Sequence, residues 1–303
     1  MTPSEAIKAK ALELGFDACG IAKAEPLPED AQSLQNWLDK SYHGEMAYLA
    51  NHFEKRTNPQ LLLPNAQSVI VVLLNYFPKQ TQTTEEPQIA KYAYGNDYHF
   101  IIKQKLKALQ TFIDEQEENE SAIFCDSAPV LERRWAERAG LGWIGKNGLL
   151  IHPTLGSYCL IGELITTLPL DYDTPQKERC GACTACIDAC PTHALKPYEL
   201  NANRCISYLT IEYRGDTPEA LTSLMGNRLF GCDICLDACP WNKKSKAHKT
   251  LELLPHLGFF EIDWQNFSRS TFKQQFRNSP LERAGYQKLK KRLQEIQDLN
   301  HSK

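Results

Sequence analysis

The chain has 303 residues, 42% hydrophobic and 23% charged, with a formal net charge of −3. That length supports a full core plus a smaller second unit, and no run reaches the ~20 apolar residues of a membrane span. Eleven cysteines, with no basic head and apolar stretch at the N-terminus, argue against a disulfide framework and predict a cytoplasmic protein with metal-bound thiolates.

Thr2-Pro3-Ser4-Glu5 has the form of a capping box with Pro at the first helical position. Ile7, Ala11 and Leu14 follow at helical spacing. The longest apolar run, Val69 to Leu74, predicts a buried strand over 68–76. An amphipathic helix is expected over 100–117 and a short strand over 122–125, stopping at Asp126. Pro129 and the run 130–139 predict a helix closed by Gly140. Segments 147–151 and 157–166 are predicted as two strands joined by the turn His152-Pro153-Thr154-Leu155-Gly156. The fold class is therefore α/β (α+β), in three segments: a domain over 1–170, a cysteine-rich unit over 171–245, and a basic, largely helical tail over 246–303.

Eight cysteines fall between Cys180 and Cys239, while Cys19, Cys125 and Cys159 are scattered and expected to be small core residues. The first motif is Cys180-x2-Cys183-x2-Cys186-x3-Cys190-Pro191. Three closely spaced thiolates wrap one face of a [4Fe–4S] cubane, and in two-cluster ferredoxins the fourth serves the other cluster. The second motif, Cys232-x2-Cys235-x3-Cys239-Pro240, lacks one member of the triplet, and Cys205 is the nearby candidate to replace it. The crossed pattern assigns Cys180, Cys183, Cys186 and Cys239 to one cluster, and Cys190, Cys205, Cys232 and Cys235 to the other. Structural zinc is disfavoured, because zinc knuckles arrive as paired C-x2-C units with a longer spacer.

The charge is unevenly placed. Residues 241–303 hold 13 Lys and Arg against 6 Asp and Glu, whereas residues 1–240 hold 21 against 31. A basic tail on an acidic body is either a polyanion footprint or a solvated face. No GxGxxG is present to support a nicotinamide or flavin site. Asp97-Tyr98-His99 opens like a cobalt-ligating Asp-x-His-x-x-Gly motif, but position 102 is Ile. His99 is therefore expected to be an ordinary packed or hydrogen-bonded histidine.

Several blocks together resemble the epoxyqueuosine reductases, cobalamin-dependent enzymes of tRNA queuosine synthesis. They are Lys55-Arg56-Thr57-Asn58-Pro59 with Leu63-Pro64-Asn65-Ala66, Tyr94-Gly95-Asn96-Asp97-Tyr98-His99, and Asp126-Ser127-Ala128-Pro129-Val130-Leu131-Glu132-Arg133. Gly140-Leu141-Gly142-Trp143-Ile144-Gly145-Lys146-Asn147, Arg204-Cys205-Ile206-Ser207-Tyr208-Leu209-Thr210-Ile211-Glu212 and Gly231-Cys232-Asp233-Ile234-Cys235 extend the match. It runs to about residue 245, and more weakly to about 290.

The resemblance implies a nitroreductase-like cobalamin domain, related to that of reductive dehalogenases, joined to a ferredoxin-type double-cluster domain. Electrons would pass through the clusters to give cob(I)alamin. The implied substrate is epoxyqueuosine at the wobble position of a tRNA anticodon stem-loop, and the product is queuosine. The family's proton-donating aspartate matches Asp126, whose place between a buried strand and a helix agrees. An acid working near ambient pH needs a raised pKa. The implied cobalamin contacts are Arg56, Asp126, Lys146, Asn147, Leu150, Ser157 and Tyr158. Longer family members continue into HEAT-like repeats, and a short form without them is expected here. Lys243, Lys244, Lys246, Lys249, Arg269, Lys273, Arg277 and Arg283 are therefore expected to carry more of the tRNA contact. A monomer fed by an external electron donor, with no membrane association, is expected. The rivals are another cobalamin reductase of dehalogenase type and a plain electron carrier, which would leave the first 170 residues unexplained.

Overall fold

The computed structural model describes residues 1–301, with side chains through Leu299. Helix α1 (Pro3–Glu13) starts at the predicted cap: Thr2 Oγ1 accepts the Glu5 N–H, and the Glu5 carboxylate accepts the Thr2 N–H. Strand β1 (Ala18–Lys23) follows, then β2 (Ser68–Asn75), helix α2 (Tyr98–Asp114), β3 (Ser121–Phe124), helix α3 (Glu132–Arg138) and β4 (Cys159–Thr166). Among the described residues these strands form one sheet in the order β1-β2-β4-β3, with every neighbouring pair antiparallel. Ile70, Val72 and Leu74 pack with Ile7 of α1 and Ile102 and Leu106 of α2. Val69, Val71 and Leu73 pack on the other face with Trp135 and Ala136 of α3. Both faces are covered, so β2 is an unbroken apolar run rather than an alternating one.

Two expectations change here. Helix α3 begins at Glu132, not at 130. Leu131 caps it in a non-helical conformation at φ −88°, ψ 67°, and the Val130 N–H bonds locally to the Ala128 carbonyl instead of a helical one. Gly140 does end this stretch, in a left-handed conformation at φ +71°. The predicted hairpin between 147–151 and 157–166 does not form. Leu150–Ile151 pairs instead with Trp143–Ile144, through the tight turn at Gly145–Gly148. Beyond a single bridge from His152 to Gly156, β4 pairs with β2 and β3.

The expected segment boundaries do not coincide with separate cores. Ile89, Ala93 and Tyr94 share a core with Leu229 and Phe230 and with Phe259, Phe276, Leu289 and Ile296 of the tail. The Asn96 and Asp97 N–H groups bond to the carbonyls of Glu252 and Asn278. Leu236 and Leu253 are members of the core against the sheet. No helix among the described residues is long and apolar enough to cross a membrane.

Candidate functional site

The cysteine-rich segment folds back on itself so that Cys180, Cys183, Cys186 and Cys239 line one cavity of about 180 Å³. Its wall is completed by Lys146, Asn147, Ile151, Pro240 and Trp241. Trp143 and Trp241 meet edge to face beside it, and the Arg179 guanidinium lies 5.5 Å from the Trp143 ring centre. Cys239, the last cysteine of the second motif, thus joins the triplet of the first. The second set lies within electrostatic reach of itself: Cys205 of Cys190, and Cys232 and Cys235 of Cys205. Burial pushes the Cys232 thiol up to about 12 and that of Cys235 higher still. Neutral thiols are favoured without iron in the cage, and iron's positive charge offsets that cost. Cys19, Cys125 and Cys159 lie in or against the sheet cores, where burial raises each thiol.

Asp126 sits where β3 ends, in a left-handed conformation at φ +56° that is costly for a non-glycine residue. Its side chain is half-exposed, and its Oδ2 lies 2.9 Å from His99 Nε2. His99 Nδ1 lies 2.5 Å from Asp97 Oδ1. Tyr98 stacks on the His99 ring, with centroids 4.2 Å apart. Burial disfavours a charged imidazole here, but the hydrogen bonds to Asp126 and Asp97 outweigh it and push His99 up to about 9. The same bond from His99 holds Asp126 below the usual carboxylate range, against its burial, and Arg283 of the tail adds to this. The expectation of a raised pKa at Asp126 is thus reversed: at neutral pH the proton sits on His99, flanked by two carboxylates. Pairing a carboxylate with a cation wins because the cation is a hydrogen bond away.

Beneath Asp126 lie two further carboxyls. Glu132, at the start of α3, accepts the Asp126 backbone N–H, and Glu163 points from the middle of β4 with no exposure. Burial, then the Asp126 charge, pushes Glu132 up to about 7. Burial, then the Glu132 charge, drives Glu163 well above the carboxylate range. Neither was singled out from sequence. The available signal was a glutamate inside the apolar stretch Ile161-Gly162-Glu163-Leu164-Ile165.

The remaining candidate contacts fall into two groups. Asn147 Nδ2, Ser157 Oγ and Arg56 Nε are buried polar atoms without a partner among the described residues. A ligand carrying many amides and a phosphate supplies such partners, so these residues fit cobalamin. Lys146 and Tyr158 are differently engaged. Lys146 Nζ donates to the carbonyls of Gly181 (2.6 Å) and Cys183 (3.0 Å), and the Tyr158 hydroxyl donates to Asp237. Both brace the cluster segment, and Leu150 is buried in the core beside α3. The eight basic tail residues named above are all exposed.

Residues 56–127 match the family model of epoxyqueuosine reductase QueG, and residues 179–242 match a 4Fe–4S double cluster binding domain. An epoxyqueuosine reductase of Leadbetterella byssophila is 47% identical over 98% of this chain and 99% of its own length. A crystal structure of an epoxyqueuosine reductase with a tRNA-Tyr epoxyqueuosine-modified stem loop superposes with a TM-score of 0.86 at 30% identity, covering 96% of this chain and 80% of that one. The Bacillus subtilis enzyme, with its catalytic aspartate loop swung out of the active site, superposes at 0.87 with 31% identity over the same shares.

Proposed function

The chain belongs to the epoxyqueuosine reductase family, and from that premise we infer that it reduces epoxyqueuosine to queuosine in tRNA with cobalamin and two [4Fe–4S] clusters. The net reaction consumes two electrons and two protons and releases the epoxide oxygen as water. Cobalamin, when bound, supplies the nucleophile that opens the epoxide, with electrons delivered singly through the clusters. The rest falls to this chain's own residues.

An epoxide oxygen leaves poorly as an alkoxide, so a proton must be delivered as the ring opens. Asp126 is the catalytic residue in this reading. It is the exposed end of the row Asp97–His99–Asp126. His99 stores the proton and passes it through Asp126 to the epoxide oxygen, while Asp97 holds the far ring nitrogen in register. That row, on a chain that also carries two four-cysteine sets, is the observation that carries the proposal. Arg56, Asn147 and Ser157 would hold the cobalamin, with Leu150 behind them and Lys146 and Tyr158 bracing the cluster segment. The crossed ligation of the two cysteine sets is supported by the shared cavity of Cys239 with Cys180, Cys183 and Cys186. In this reading the Asp126 turn is the counterpart of the catalytic aspartate loop that is swung out of the active site in the Bacillus subtilis relative. The working unit is a cytoplasmic monomer supplied by an external electron donor.

The decisive experiment is anaerobic incubation of the reconstituted protein with epoxyqueuosine-containing tRNA and a strong reductant. Queuosine is the expected product. Its absence, with both cofactors verified by spectrum, overturns the assignment.

A further inference from the structure

Strand β4 sends Ile161, Glu163 and Ile165 to the same side of the sheet, toward α3. A carboxyl in that apolar row is expensive to bury, and Glu163 is fully enclosed. Neither of its oxygens has a donor among the described residues. The polar group against it is the Glu132 carboxyl, which is also an acceptor unless one of the two carries a proton. Two carboxylates in contact in a dry interior cannot both be ionised. One proton between them turns a repulsion into a hydrogen bond. It also leaves Glu132 with an oxygen for the Asp126 N–H, which it accepts. Asp126 is left-handed at this point, a conformation that needs an external hold to persist. The other charges facing Glu132 are Asp126, Arg133 and His99, and Asp126 also acts on Glu163.

We propose that Glu132 and Glu163 form a proton-sharing carboxyl pair that latches the Asp126 turn onto His99, with Glu132 as a positioning residue for the proton donor. This rests on the reading of Asp126 as the acid. Neither Glu163 oxygen accepts a hydrogen bond from Asp126; Glu163 acts by keeping Glu132 aimed at the Asp126 backbone. Opening of the turn then requires breaking the Glu132 bond, which gives this chain a defined point of release for the loop.

The test uses full-length, cofactor-loaded protein. Glu132→Ala is expected to lower kcat at least about tenfold with KM for tRNA unchanged, and to raise amide exchange at residues 126–128 by a similar factor. Glu132→Gln keeps an acceptor for the Asp126 N–H and a donor toward Glu163, and so should restore both readings. Glu163→Leu removes a buried acid from an isoleucine-lined wall. It should raise the melting temperature while lowering kcat and loosening the turn, a split that a purely structural residue does not produce. Infrared difference spectra at neutral pH should show a protonated carboxyl in the parent protein that Glu163→Leu lacks. Unchanged exchange at 126–128 in both Glu132→Ala and Glu163→Leu, or no protonated carboxyl, overturns the latch. Asp126→Asn is run beside them. If it turns over normally, the role of Asp126 as acid falls, and the exchange data still decide the latch by themselves.

Discussion

At the scale of single residues, the proton inventory of the site makes three predictions. Asp126→Asn should keep both cofactors and tRNA binding and lose about 10²- to 10⁴-fold in turnover, the usual worth of a positioned acid; single-turnover assays with cofactor spectra check this. His99→Gln keeps a hydrogen-bonding side chain but removes the stored proton, so it should lose most turnover as well. The pH dependence has a definite sign. His99 is raised from its ordinary value of 6.5 to about 9, so the ion pair's contribution is complete below 6.5 and is lost as pH rises through about 9. Asp126 is depressed, so its contribution is present above the ordinary carboxylate range and lost as pH falls through its folded value. Turnover by the parent enzyme should therefore fall on an alkaline limb near 9, and His99→Gln should abolish that limb. The double-cluster domain was legible because cubane motifs are written in local spacing, and the meeting of Cys239 with Cys180, Cys183 and Cys186 in one cavity followed from the two-cluster precedent. Asp126 was legible only through resemblance. Its link to His99 spans 27 residues and depends on β3 and the start of α2 meeting, which no spacing rule records.

At the scale of elements, strong local signals held and pairings did not. The capping box, β2 and α2 each depend on their own residues, and each formed within a few positions of expectation. The 147–166 hairpin failed because strand partners are chosen by the whole sheet: β4 fills the place between β2 and β3. The turn before β4 meets the cluster segment instead. Gly156 is left-handed at φ +70°, and a Cβ there would lie 2.1 Å from Asn242 Oδ1. That same oxygen, on a residue just beyond Cys239, accepts the Ser157 N–H at 2.6 Å. Gly156→Ala should cost about 1–3 kcal/mol, from backbone strain and the displaced Asn242. Chemical denaturation checks the size. Iron should leave the cage of Cys180, Cys183, Cys186 and Cys239 before the other, since Asn242 anchors the segment that carries Cys239.

At the scale of the whole molecule, the tail does two separable jobs, and its charge alone does not distinguish them. Its apolar residues share a core with 89–94, and its backbone holds Asn96 and Asp97, so it supports the proton row from behind. Its cations are exposed, but they stand at different distances from the chemistry. Arg283 acts on both Asp97 and Asp126. Lys243, Lys244, Lys246 and Lys249 follow the last cluster cysteine and are not among the main charges acting on either aspartate. Reversing those four lysines to Glu should weaken tRNA binding and flatten its salt dependence, by about 0.7–0.9 in the log–log slope for each phosphate no longer neutralised. kcat at saturating tRNA should stay unchanged, because the site itself is untouched. Arg283→Ala should do the opposite: a small change in salt slope, and a lower kcat as Asp126 and Asp97 are deprived of a cation that stabilises their charged forms. Filter binding across a salt series, paired with turnover at saturating tRNA, separates the two. A fall in kcat in the lysine variant would mean that the basic tail positions the substrate nucleotide rather than merely holding the tRNA backbone.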